Sequence, residues 1–338
     1  MKKVAVVILN WNGKNWLEKF LPSVEEHTSH EDYEIIVADN GSTDDSIAFL
    51  KERHPKISII ALDKNYGFTG GYNRALKQVA AKYFVLLNSD IEVSPKWLDI
   101  LTLEMDKDEN LGACQPKILA YNDKKSFEYA GASGGFIDKY GYPFCRGRVF
   151  FTTEEDVKQY NEPMEVFWAT GACLMVRADL YKKIGGLDEE FFAHMEEIDF
   201  CWQLQHLSYK IKVFPSAVVY HVGGGTLAQG NPRKTYLNFR NNLALLFKNL
   251  PFPNNIIVVF QRLILDGIAG IQAMTKGAFK ETLAIIKAHF SFYLWIPSLL
   301  KKRKMIPNKK KFFELKGSHP KSIVFQYFLN KKKKFSEL

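Results

Sequence analysis

Cysteine is scarce in this chain of 338 residues: Cys114, Cys145, Cys173 and Cys201 are the full set, spaced 31, 28 and 28 residues apart. No pair has the close spacing of a zinc knuckle or a redox couple, so all four are expected to be reduced and mostly buried. The two long apolar patterns, Ile256 to Ile271 and Leu283 to Leu300, lack 18 uninterrupted apolar residues, because Arg262, Asp266, Lys287 and His289 break them. That points to amphipathic helices lying in a membrane interface or packed on the domain rather than to a spanning segment. No G-x-G-x-x-G follows the first apolar run, which argues against a nicotinamide or flavin enzyme. Internal repeats are missing, as is low-complexity sequence ahead of the C-terminal tail. Met-Lys-Lys precedes only the short run Val4 to Leu9, which leads into Asn10-Trp11-Asn12-Gly13. This reads as a first strand and not as a secretory leader, and it places the expected catalytic face in the cytosol.

What is present is ample apolar material: 46% hydrophobic, 14% aromatic and 25% charged residues. Such a chain builds a substantial core, as one large domain or one plus an appendage, and is not wholly disordered. The formal net charge of +9 is unevenly spread, since residues 301–338 carry 13 Lys+Arg against 2 Asp+Glu and leave the first 300 residues near neutral. A nucleic-acid-binding surface would make the folded body basic, so no nucleic-acid partner is expected.

Val4 to Leu9 is a β-branched run of the kind buried on both faces of a parallel sheet, and the helical pattern Trp16, Leu17, Phe20, Leu21, Val24 follows it. The alternation recurs with 34–38 then 46–53, 57–61 then 72–81, and 83–87 then 96–105. This predicts an α/β fold: an open, mostly parallel sheet with helices on both faces. From Gly112 to Val149 the helical period disappears, and hairpins and loops that shape a cleft are expected. Phe167 to Val176 follows as a strand, 180–184 and 196–207 as helices, and 211–214 and 218–221 as separate strands. The division expected is a catalytic domain over residues 1–250 and a helical, basic region over 251–338.

In an open α/β sheet the ligand sits at the carboxyl ends of the strands. Here those ends are polar: Asn10 and Asn12, then Asp39-Asn40-Gly41-Ser42, then Asn65-Tyr66-Gly67, then Asn88-Ser89-Asp90. Each alone is ordinary strand-closing or helix-capping chemistry; the set together is not. With Asn65 to Asn73, Thr170 to Val176, Glu196 to Asp199 and Tyr220 to Gly225, it resembles family 2 glycosyltransferases of the GT-A fold. The bacterial branch with rhamnosyl- and galactofuranosyltransferase-like enzymes is the most similar, and the resemblance spans roughly residues 3–248.

The resemblance implies inverting transfer of a sugar from a nucleotide-sugar donor. Asp39, flanked by Asn10 and Asn12, would hold the base. The glycine-rich turn carrying Asn65, Gly71 and Asn73, leading into a helix near Tyr72, would face the diphosphate. Asn88-Ser89-Asp90 stands where the family has D-x-D, so Asp90 with His221 would bind a divalent cation, Mn²⁺ or Mg²⁺, on the leaving group. Glu197, where the family usually has Asp, aligns with the general base, and Glu196 and Asp199 would orient the acceptor or the helix. Trp168 is expected to offer a face to an acceptor sugar, and Arg240 to close over the diphosphate. A glycan or polyprenyl-linked acceptor and an anionic membrane surface are the further partners expected, the latter from the aromatic cluster 290–295 ahead of the basic tail. This places the protein peripherally on the inner face of the cell membrane. Two rivals remain at this point. A glycosidase also uses paired carboxylates but needs no nucleotide pocket. A membrane-docking protein with a degenerate transferase fold is motivated by Asn88 and Glu197.

Overall fold

The computed structural model describes residues 1–223 and 231–338; Gly224 and Gly225 of the sequence motif at 220–225 lie outside the described residues. The first 107 residues alternate strand and helix: β1 (Lys2–Asn10), α1 (Lys14–His27), β2 (Tyr33–Asp39), α2 (Ser46–Arg53), β3 (Ser58–Ala61), α3 (Gly67–Leu76), β4 (Ala81–Asn88), β5 (Ile91–Val93) and α4 (Trp97–Lys107). β1 is paired in parallel with β2 and β4, and β2 with β3. Asn10 lies beside Asp39, and Leu9 beside Asn88, so the polar strand ends fall in line at one edge. α3 begins five residues earlier than expected: the glycine-rich segment is itself the first turns of the helix. Gly71 permits this, because a Cβ there would sit 2.8 Å from Leu9 Cδ1 and 2.9 Å from Asn40 Nδ2.

The sheet then becomes mixed. β6 (Leu111–Ala120) is a long inner strand where sequence reading expected hairpins and loops. Its buried Gln115 and Lys117 obscure the apolar run, and both are satisfied internally: Gln115 accepts from Thr170 N, and Lys117 pairs with Asp156 and Asn161. Short strands follow: β7 (Asp123–Phe127), β8 (Gly135–Asp138), β9 (Pro143–Cys145), β10 (Arg148–Val149), β11 (Thr152–Thr153) and β12 (Met164–Glu165). β13 spans only Cys173–Arg177, antiparallel to both β4 and β6, and the stretch before it bonds to Gly135 instead of extending the strand. After α5 (Ala178–Ile184) and α6 (Glu196–His206), β14 runs unbroken over Lys210–His221, parallel to β6. The two expected strands are thus one, with a register shift between Phe214 and Val218. Pro215, which has no N–H to give the ladder, lies in that gap.

Three long helices follow: α7 (Pro232–Asn249), α8 (Asn254–Thr275) and α9 (Phe279–Met305). α8 and α9 form a hairpin that turns several polar side chains inward. Arg262, Asp266 and Asn255 are buried, with Arg262 donating to Asp266 at 2.6 Å and to Asn242 of α7. The outward faces carry Ile257, Phe260, Ile264, Ile268 and Ile271 on α8, and Leu283, Ile286, Phe290 and Leu294 on α9, all exposed. Both helices are long and apolar enough to cross a membrane by length and composition. The basic tail packs back on the body. β15 (Ser318–His319) pairs with β8, Tyr327 of α10 (Ile323–Phe328) bonds to Thr152, and Phe335 N donates to Glu154.

Candidate active site

The edge defined by the ends of β1, β2, β4 and β14 gathers most of the expected residues. Asp39 is buried, and both its oxygens accept: Oδ1 from Asn10 Nδ2 at 3.0 Å and Oδ2 from Ser42 N at 2.9 Å. Asn12 Oδ1 in turn accepts from Thr43 N at 2.7 Å, which locks the 40–44 turn against the first loop. Asn10 Oδ1 is buried without a partner beside Gly13, where a Cβ would lie 2.4 Å from it. Asn65 bonds to the start of α3 through Gly67 N and to Asn40, whose side chain ties the second and third loops together.

β14 delivers His221 to the loop after β4. Its Nε2 is 3.2 Å from Asp90 Oδ1 and 3.4 Å from Asn88 Nδ2, with Ser89 partly open between them in sequence. Nδ1 stands 3.5 Å from Glu128 Oε1, at ion-pair distance but without a hydrogen bond. Burial alone would lower the His221 pKa; Asp90 and Glu128 reverse this and raise it to about 10. Glu128 is a functional candidate that sequence reading missed, since it comes from the irregular stretch after β7.

Gly171 brings the acidic helix to the same place. A Cβ there would lie 3.3 Å from Phe68 and 3.8 Å from Glu197 Cβ, and the adjoining Ala172 O accepts from Asn88 N at 2.9 Å. Glu197 and Glu196 each hold a buried Oε2 with no hydrogen-bond partner. Burial pushes Glu197 up to about 7, and burial with the neighbouring Glu197 pushes Glu196 well above the ordinary carboxylate range. Asp199 differs in kind. It is buried and fully engaged, accepting from Lys248 Nζ and Asn249 Nδ2 at 2.7 Å each and from Gln203 at 2.8 Å. It therefore anchors α6 and does not face a substrate.

Three expected ligand contacts are placed otherwise. Trp168 is 3% exposed, donates to Phe136 O, and lies so close to Gly135 that a Cβ there would be 2.1 Å from the indole. It is a core residue with no free face for a sugar. Asn73 is buried and pins the 187–189 segment, accepting from Tyr181 Oη and Leu187 N and donating to Leu187 O. The Arg240 guanidinium is engaged by Glu190 O, Phe191 O and Asn241 Oδ1, and it stacks 4.9 Å over Trp295. His194 was also missed: its Nε2 is buried without a partner, and burial and then Lys234 lower its pKa to about 4, leaving a neutral imidazole beside the acidic helix. Among the described residues, no three His, Cys, Asp or Glu side chains form a metal-holding group.

The Lys248 link is the most exposed to mutation, because Lys248 neutralises both Asp199 and Asp188 where all three are buried. Lys248→Met is expected to cost about 3–5 kcal/mol, the cost of leaving buried charge uncompensated, read as a lower urea midpoint.

Comparison with known proteins bears on this geometry. Residues 5–185, more than half of the chain, match the family model described as Glycosyl transferase family 2. The chain is 26% identical over 236 residues to an N-acetylglucosaminyl-diphospho-decaprenol L-rhamnosyltransferase of Mycobacterium tuberculosis, covering 64% of this chain and 75% of that one. It is 25% identical over 247 residues to the low-salt glycan biosynthesis hexosyltransferase Agl10 of Haloferax volcanii, covering 70% and 73%. Among solved structures it is similar to GalNAc-T7 with UDP, GalNAc and Mn²⁺, with TM-score 0.60 and 13% identity, over 92% of this chain and 59% of that one. It is also similar to S. aureus TarS 1-349 in complex with UDP-GlcNAc, with TM-score 0.58 and 15% identity, over 89% and 83%. The fold is that of GT-A glycosyltransferases. With the strand-end residues of β1, β2 and β4 aligned at one edge and the family match covering the strands that align them, the chain belongs to glycosyl transferase family 2.

Proposed function

We propose that this glycosyltransferase moves a sugar, with inversion at the anomeric carbon, from a nucleotide-diphospho-sugar to a hydroxyl of a glycan or polyprenyl-linked acceptor in cell-surface polysaccharide assembly. The observation that carries the reading is the convergence at one sheet edge of the Asn10–Asp39 pair, the Asp90–His221 pair and the unpartnered Glu197. The acceptor class is supported by the diphospho-decaprenol named for the mycobacterial relative, and the donor class by UDP-GlcNAc in the TarS complex.

In this reading Asn10 and Asp39 hold the base end of the donor, and the loop of Asn88 and Ser89 faces its diphosphate. The acceptor hydroxyl attacks the anomeric carbon, the bond from that carbon to the diphosphate breaks, and the nucleoside diphosphate leaves with the bonding electrons. Glu197 takes the hydroxyl proton. Burial raises its pKa to about 7, and burial with the neighbouring Glu197 raises that of Glu196 beside it. Asp90 and His221 would hold a divalent cation as a buried oxygen and imidazole donor pair, the cation taking the place of the proton that Asp90 and Glu128 favour on His221, and Mn²⁺ in the GalNAc-T7 structure supports that reading. Such a cation supplies charge neutralisation for the departing diphosphate.

Membrane contact completes the reading. The outward apolar faces of α8 and α9, with Lys276 and Lys280 at the hairpin turn and Lys301 and Lys304 beyond Leu300, suit a cytoplasmic membrane surface with anionic head groups. The body, residues 1–250, would then work on an acceptor held at that surface by residues 251–338.

Glu197→Gln is expected to lower kcat by roughly 10²- to 10⁴-fold with donor binding retained. In the unsubstituted enzyme kcat should rise with pH through about 7 as Glu197 loses its proton, and the variant should lose that limb. Near-normal turnover in the variant would reject the base assignment. Asp90→Ala should abolish the Mn²⁺ dependence of donor binding in a titration with and without chelator; a dependence equal to wild type refutes the cation site. In liposome flotation the full chain should float with anionic vesicles, and the double substitution Ile264→Glu, Ile268→Glu should stay in the pellet fraction. Equal flotation of the two would exclude this face as the contact.

A further inference from the structure

The segment Asp188 to Met195, which leads into the acidic turn of α6, has an unusual backbone. Phe192, His194 and Met195 have φ of 67°, 70° and 72°, a left-handed conformation that none of these side chains favours. Such a segment keeps its shape only if its surroundings determine it. Two helices do so. From α7, Asn241 Nδ2 shares its two N–H groups among the carbonyls of Phe191, Ala193 and His194, 3.0, 2.9 and 2.8 Å away, and Lys248 Nζ reaches Asp188 at 2.8 Å. From α9, Ser298 Oγ donates to Glu190 Oε2 at 2.8 Å, Trp295 meets Phe191 edge-on at 5.3 Å, and Lys302 Nζ bridges Asp188 and Glu190. The C-terminal hairpin is therefore joined directly to the segment that carries Glu197, two residues past Met195.

We propose that Lys302 is a positioning residue for glycosyl transfer: by tying α9 to Asp188 and Glu190, it fixes the segment that aims Glu197 at the acceptor hydroxyl. The proposal rests on Glu197 being the base, and it assigns α9 a part in the chemistry beyond any contact with lipid. Lys302 touches no reacting group in this scheme. Its loss would act on the geometry of proton transfer and leave the donor corner of Asn10 and Asp39 untouched.

The test uses the full chain with four variants: Lys302→Met, Lys302→Arg, Glu197→Gln and the double variant Lys302→Met, Glu197→Gln. Lys302→Met should lower kcat by about 10- to 100-fold, the scale of loss for a misplaced catalytic group, with the donor Kd within about twofold of wild type. Lys302→Arg, which keeps the charge, should recover most of kcat. In the Glu197→Gln background, adding Lys302→Met should change the residual turnover by no more than about twofold, because the group it positions is already gone. A kcat for Lys302→Met within about twofold of wild type overturns the proposal, as does a loss of the same size in both backgrounds. Near-normal turnover of Glu197→Gln alone rejects the base assignment, a different failure from either of these. Should Lys302→Met not fold, Ser298→Ala removes only the hydrogen bond to Glu190 and should show a smaller loss confined to kcat; an unchanged kcat there counts against the proposal.

Discussion

Ladder register is the constraint on which the site depends. β1 is buried between β2 and β4, and its polar side chains stand only at the two ends of its apolar run. The register sets Asn10 against Asp39 and Leu9 against Asn88, so the stops coincide in space. A slip of one residue would turn every side chain of β1 to the opposite face and part Asn10 from Asp39. β14 adds His221 by the same means, since its pairing with β5 and β6 ends level with Ile91 and Ala120.

At the start of α6 the controlling interaction is electrostatic. α6 opens with three carboxyls in its first turn, and the structure treats them differently. Asp199 faces Lys248 and Asn249, which supply a cation and an amide hydrogen, and so it is held in the core. Glu196 and Glu197 each keep a buried oxygen with no donor, so burial acts on them unopposed by a cation and raises both. The charge chain from Asp199 through Lys248 and Asp188 to Lys302 lets one helix turn hold a fixed ion and a carboxyl poised near neutrality.

The strand ends were legible in the sequence because they need only the contrast between an apolar run and its polar stop. That contrast led to Asn10, Asp39, Asn88 and Asp90, the family resemblance added His221, and the fold does bring all five to one edge. What a side chain faces is not written in such a contrast. Trp168 and Arg240 have the chemistry of ligand contacts, but one is packed on Gly135 and the other braces carbonyls 190 and 191. Asn73 sits in a motif rich in glycine, yet its amide matches a turn more than 110 residues away, at Leu187. β6 was hidden by Gln115 and Lys117, polar residues in a buried strand whose partners come from distant loops. Glu128 and His194 stand in irregular backbone, where no period marks them.

The hairpin of α8 and α9 shows the same limit in its sharpest form. Helical periodicity tells that a helix has two faces and is silent on which one turns inward. Arg262 and Asp266 interrupt an apolar run, and here they are buried against each other, with Arg262 also bonded to Asn242 and its guanidinium 3.7 Å from the Tyr142 ring. With Arg262 and Asp266 satisfied internally, the pair of helices leaves isoleucine, leucine and phenylalanine outside, an arrangement that water disfavours. The same α9 that exposes Phe290 and Leu294 sends Trp295, Ser298 and Lys302 from its other face to the segment ahead of Glu197. One helix thus joins the apolar exterior to the segment that leads into the acidic turn of α6.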